Sequence, residues 1–121
     1  MSGLSTLHIQ RAGKPIGSNG LTRIRTADTF LTRLIGLLSR SSIGSEEGLL
    51  IVPCASIHTF FMRFTIDLVF LDNDNKVLGV KENVKPNRVS LAPKGTYAVL
   101  EIAQGNVMRT GIHLDDTLIF D

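Results

Sequence analysis

The chain has no tryptophan and one cysteine, Cys54, so neither an internal disulfide nor a cysteine-rich zinc site is open to it. Tyrosine occurs once, at Tyr97, and six phenylalanines carry the aromatic packing. No apolar run approaches the ~20 residues of a membrane-spanning helix. The first residues, Met1-Ser-Gly-Leu-Ser-Thr-Leu-His8, lack the charged and apolar regions of a secretory signal, and Ser2 stands where myristoylation needs glycine. Nucleic-acid signatures (a recognition-helix pattern, paired cysteines, an aromatic ribonucleoprotein motif) are missing as well. These absences lead us to expect a soluble, cytoplasmic protein with neither a membrane nor a nucleic-acid partner.

What is present fits one globular domain over residues 1–121, with 43% apolar and 20% charged residues. The net charge of +2 is unevenly placed. Residues 1–45 hold Arg11, Lys14, Arg23, Arg25, Arg33 and Arg40 against one acid, Asp28, and the acids gather further on. A basic first third suits phosphates or an acidic partner, or is balanced by acids folded beside it.

Hydrophobic periodicity predicts mostly β structure. Leu7–Gln10 and Leu21–Ile24 read as two N-terminal strands around a Gly/Pro/Ser/Asn turn region, Gly13 to Gly20. Phe30, Leu31, Leu34, Ile35 and Leu38 then recur at helical spacing, predicting one helix from Asp28 to Ser39. Strands are expected at Leu49–Val52, Ile57–Met62, Ile66–Leu71, Val77–Val80, Ala98–Ile102 and Thr117–Phe120. Asp72-Asn-Asp-Asn75 reads as a turn, Lys85 to Gly95 as an irregular connection and Gly105 to Thr110 as one helical turn. The fold expected is a small β-barrel or a rolled antiparallel or mixed sheet, with the helix packed against it.

Chemistry concentrates between Cys54 and Asp72. Cys54, His58 and Met62 are a soft-ligand set spaced four apart, but on a strand Cys54 and Met62 stand ~26 Å apart, so no metal site and no cofactor are predicted. His58, Arg63 and Asp67 are the stronger constellation. Asp67 lies among apolar strand residues and needs a partner, for which Arg63, Arg33 or His58 are the candidates. An imidazole oriented by a carboxylate is the base half of a catalytic arrangement, yet no nucleophile motif accompanies it. The bland alternative is an ion pair fastening helix to sheet. Glu101 is a second acid in an apolar strand: it faces solvent, meets an arginine, or converges with Asp67 as an acid/base pair. At the end of the chain, Asp115 or Asp116 is placed to bond the backbone of a tight turn, and the stretch resembles the Gly-Asp turn of cradle-loop and swapped-hairpin barrels, with Asp115 where glycine often stands.

As an ordered set, several segments carry a family resemblance: Arg33-Leu-Ile-Gly-Leu-Leu, Glu47-Gly-Leu-Leu, His58-Thr-Phe-Phe-Met-Arg-Phe-Thr-Ile-Asp67, Phe70-Leu-Asp72, Asn83 to Pro86, Leu100-Glu101 to Gly105, and Gly111-Ile to Asp116. Over residues 28–120 the chain resembles the bacterial and archaeal family known as domain of unknown function 192, leaving two extra strands within 7–24. The resemblance implies a compact barrel-like fold with one early helix and no established reaction. The residues favour a non-enzymatic binding domain. His58, Arg63, Arg33 and Asp67 would line a cleft for a small anion or a peptide segment. The competing expectation is a hydrolase or isomerase with His58 as general base, oriented by Asp67, and with Glu101 as a further catalytic candidate.

Overall fold

The computed structural model describes residues 3–27, 42–54, 56–58, 64–86 and 89–121, with the backbone alone for 56–58 and 89–90. The elements run β1 (Leu7–Arg11), β2 (Lys14–Ile16), β3 (Arg23–Ala27), β4 (Glu47–Ile51), β5 (Ser56–His58), β6 (Ile66–Leu71), β7 (Val77–Val84), β8 (Val89–Leu91), β9 (Ala98–Ala103), α1 (Asn106–Thr110) and β10 (Thr117–Phe120). The helix expected over 28–39 lies outside the described residues.

A five-stranded sheet in the order β3-β4-β9-β6-β7 forms the frame, with β3 parallel to β4 and the other neighbours antiparallel. A three-stranded antiparallel sheet, β10-β1-β2, lies beside it, and β5 pairs with β8 in a two-stranded ribbon. Single bridges join the two larger sheets at both margins, Ser5 to Ile24 and Lys76 to Thr117. Single bridges instead of continuous ladders make this a rolled mixed sheet, not a closed barrel.

Strands β6 and β9 bury both faces, which is why their sequences read as apolar runs, each interrupted by one acid, Asp67 in β6 and Glu101 in β9. On one face Val69, Leu71, Ala98, Leu100 and Ile102 join Leu7, Ile9, Ile24 and Leu118 in the larger core. On the other, Ile66, Leu68, Phe70 and Val99 pack with Ala27, Leu49, Ile51 and Val84. Among the described residues no helix is long and apolar enough to cross a membrane.

The departures from expectation have local causes. Strand β7 runs on to Val84 because Lys81, Glu82 and Asn83, though polar, lie exposed on a strand that, among the described residues, is laddered only to β6, where charge also discourages further pairing. Strand β3 starts at Arg23, two residues later than expected, and the short strands β2 and β8 form inside stretches read as irregular. The Asp72 turn is as expected: its Oδ1 accepts from the N–H groups of Asp74 (2.8 Å) and Lys76 (2.9 Å), and Asn75 takes a φ of 62°.

Gly48 sets the closeness of β3 to β4. A Cβ there would lie 2.7 Å from Ile24 Cδ1, 3.2 Å from Ile102 Cγ2 and 3.3 Å from the Glu101 carbonyl oxygen. Because Ile24 is fully buried, its methyl has no free space to retreat into. Gly48→Ala is therefore expected to destabilise by about 1–3 kcal/mol in denaturant unfolding, with partial recovery in the Gly48→Ala/Ile24→Val double variant.

Candidate functional site

Asp67 is fully buried, and its partners are backbone N–H groups instead of the arginine or imidazole expected from sequence. Oδ1 accepts from the Asn83 N–H at 3.0 Å; Oδ2 accepts from Gly105 at 3.1 Å and Val107 at 3.0 Å. Each donor is free for a reason. Between Ile66 and Leu68 the β6–β7 register slips, Asn83 takes a φ of 59°, and its N–H leaves the ladder. Gly105 and Val107 stand at the start of α1, where N–H groups have no helical acceptor. Gly105 has a φ of 89°, a left-handed conformation that suits glycine. A further bond, Gln104 Nε2 to Asn83 Oδ1 at 2.9 Å, closes the same corner. Asp67 thus ties β6, β7 and α1 together.

The C-terminal turn works in a similar way. Asp116, also fully buried, accepts from Arg11 Nε at 2.7 Å and Nη2 at 2.9 Å, and from the His113 N–H at 2.8 Å. The Arg11 guanidinium holds the Asp116 carboxyl below its ordinary range. Asp115 takes a φ of 69°, the backbone expected where glycine often stands. One of the N-terminal cations is therefore neutralised by an acid folded beside it.

Glu101 does not face solvent, contrary to one expectation. It is 3% exposed in the middle of β9, opposite Leu49 on β4 and Leu68 on β6. Burial among apolar neighbours pushes its carboxyl up to about 7. Ile102, not Glu101, stands opposite Asp67 in the β6–β9 ladder, so the two acids project from opposite faces of one sheet. They form no acid/base pair.

His58 ends β5, paired with Val89 of β8. Cys54 and Ala92, which flank that ribbon, pack half-buried against the second apolar cluster. Arg33, Arg63 and Met62 lie outside the described residues. Among the described residues no group of three or more His, Cys, Asp or Glu gathers as a metal site. Sequence reasoning missed a hollow of about 300 Å³ between β1 and residues 16–22, lined by Thr6, His8, Ser18 and Asn19 among others. His8 there is bonded to Asp121 at 2.9 Å.

Residues 14–120 match the model of the DUF192 family, described as an uncharacterized ACR. The match takes in β2 and β3, which the sequence resemblance had left aside. The chain is similar to UPF0127 proteins of Thermococcus sibiricus (30% identity over 101 residues, 79% of this chain and 64% of that one) and Pyrococcus horikoshii (32% over 85 residues, 68% and 73%). It thus spans less than two thirds of the Thermococcus sibiricus protein, and 63% of a Thermococcus kodakarensis relative. Among solved structures it is similar to a Novosphingobium aromaticivorans protein of unknown function, with a TM-score of 0.78, 25% identity, and coverage of 93% of this chain and 82% of that one. A Sinorhizobium meliloti protein whose name suggests a transcription regulator has the same TM-score at 21% identity, covering 99% and 97%, and shares the fold.

Two outcomes follow from the buried acids. Asp67→Asn leaves one acceptor oxygen for three N–H donors and turns an NH₂ group toward them. It is expected to lower stability by about 3 kcal/mol or more in denaturant unfolding. Glu101 holds its proton more tightly folded than unfolded, so its contribution to stability is complete below its ordinary value of 4.5 and is lost as pH rises through about 7. Unfolding free energies measured across that window should carry a loss of about 3 kcal/mol in the wild type that is absent in Glu101→Gln. Asp116 acts in the opposite direction and below this window, because its folded carboxyl is held low.

Proposed function

The chain belongs to the DUF192 family, and we propose that it is a non-enzymatic binding domain whose receptor is the cationic set His58, Arg63 and Arg33. The ligand is a small anion or the carboxylate of a peptide segment. Planar guanidinium forks suit carboxylate and phosphate, and an imidazolium adds a third donor in acid.

One observation carries this reading: neither buried acid that was a candidate to neutralise the cations pairs with one of them among the described residues. Asp67 spends its oxygens on three backbone N–H groups. Glu101 is pushed up by burial, opposite to the direction an adjacent guanidinium imposes. The same fact weakens the hydrolase or isomerase alternative, which needs Asp67 to orient His58. A carboxylate engaged at 3.0–3.1 Å with backbone amides on the α1 side of the sheet is poorly placed for that duty.

A chemical-shift titration of the full chain with inorganic phosphate and with acetate tests the proposal. Saturable shifts centred on His58 and Arg63 are expected. They should weaken as pH rises through the ordinary imidazole value of about 6.5 and drop at least about tenfold in affinity in His58→Ala. Shifts confined to Arg11, Arg23 and Arg25 would overturn it.

A further inference from the structure

The segment 17–20, Gly-Ser-Asn-Gly, is exposed except for Asn19, yet it is held in shape from two sides. The buried Asn19 amide donates to the Leu7 carbonyl at 2.9 Å and accepts from the Leu21 N–H at 2.8 Å. From α1, Arg109 Nη1 donates to the Asn19 carbonyl at 2.9 Å. Its Nε and Nη2 bond Asn106 Oδ1 and the Ser45 carbonyl, both at 2.8 Å. Gly20, with a φ of 79°, leaves room for the guanidinium, since a Cβ there would lie 3.1 Å from Nη1. Among the described residues Arg109 thus fastens loops and meets no carboxylate. Ordering an exposed loop costs conformational entropy, and a connection that merely joins β2 to β3 needs no such fastening.

The fastened segment walls the hollow of about 300 Å³ beside β1. Leu7 and Ile16 supply its apolar lining, and Thr6, Ser18 and Thr22 supply hydroxyls. None of these three hydroxyls bonds another described residue. The His8 ring also lines the hollow; its Nε2 is bonded to Asp121 Oδ2 at 2.9 Å, which leaves Nδ1 unused among the described residues. No Lys, Arg, Asp or Glu belongs to the lining. Charges of opposite sign stand at its margins instead, Asp121 against His8 and Arg109 against Gly20.

We infer that this hollow is a binding site for a small neutral polyol, of the size of one sugar ring. A hydroxyl both donates and accepts, so three of them beside an imidazole match a ligand whose own hydroxyls do the same. An anion would meet the Asp121 carboxylate and a cation the Arg109 guanidinium, so the margins select for a neutral molecule. A metal ion would want a richer ligand set, and no group of three or more His, Cys, Asp or Glu gathers among the described residues. Leu7 and Ile16 offer the C–H face of a ring an apolar seat. The volume stands at the lower end for small-molecule sites, which suits a single ring and excludes a chain of them. Because the loop is already fixed, binding demands little further ordering. The inference does not rest on the cationic set at His58.

The test is a proton–nitrogen chemical-shift titration of the full chain, with methyl α-D-glucopyranoside and D-ribose as probes and inorganic phosphate and isopropanol as controls. Saturable shifts centred on Thr6, His8, Ser18 and Thr22 are expected with at least one of the two probes. Affinity should fall about fivefold in Thr22→Val, which deletes one hydroxyl and keeps the branched shape. It should fall about tenfold or more in Ser18→Trp, which sets a bulky ring at the hollow's wall. Both positions are exposed, so neither substitution touches the core. Unsaturable or absent shifts with both probes, or unchanged affinity in either variant, would overturn the site. So would phosphate or isopropanol moving the same resonances as strongly. Phosphate shifts at His58 and Arg63 report on the cationic set separately, so either reading can fail without the other.

Discussion

Three backbone N–H groups from two separate segments converge on the Asp67 carboxylate, and much of the fold's geometry answers to that convergence. The slip in the β6–β7 ladder, the positive φ of Asn83 and the left-handed Gly105 are each locally unfavourable. Each delivers an N–H to the same anion. Charge-assisted bonds in a buried setting are stronger than neutral ones, so one carboxylate can hold a bulge and a helix start that neither segment would adopt alone. Its absence would leave three donors unsatisfied together, which makes the corner cooperative.

That convergence gives a physical sense to segments the sequence only set in order. Asp67, Asn83 and Gly105 lie in three of the separate stretches that carry the family resemblance, and in space they are one hydrogen-bonded corner. Asn83 adds the bond from Gln104 through its side chain. The ordered pattern thus encodes a structural knot at this place, and a polar strand residue with an obvious charge was the visible end of it.

The periodic parts of the fold were legible. Strand β6 matches its expected limits because its apolar residues are buried on both faces of the sheet, and β10 matches its own on a run of β-favouring residues with Leu118 in the core. The Asp72 turn was legible from the tolerance of Asp and Asn for left-handed backbone, and the Asp115–Asp116 turn from the capacity of Asp to bond nearby backbone N–H groups. The short β2 and β8 were not, since three-residue strands take their definition from partners distant in sequence. Asp67 was legible as buried and misread in its partners. Side-chain reasoning looks for a cation to match an anion, whereas backbone N–H groups are available at every residue and leave no mark in the sequence. Glu101 was misplaced for a related reason: alternation assigns a strand residue to a face, but says nothing of what covers that face.

The two acids show how one sheet can separate scaffolding from chemistry. Their side chains leave adjacent strands one ladder position apart, yet they enter different environments. On the α1 side, peptide dipoles surround the carboxylate and consume its capacity to bind anything else. On the other side, leucines surround it and nothing among the described residues stabilises its charge, so the proton is held to about 7. The difference in environment, not in residue type, makes Asp67 a fastening and Glu101 a carboxyl that keeps its proton to about 7.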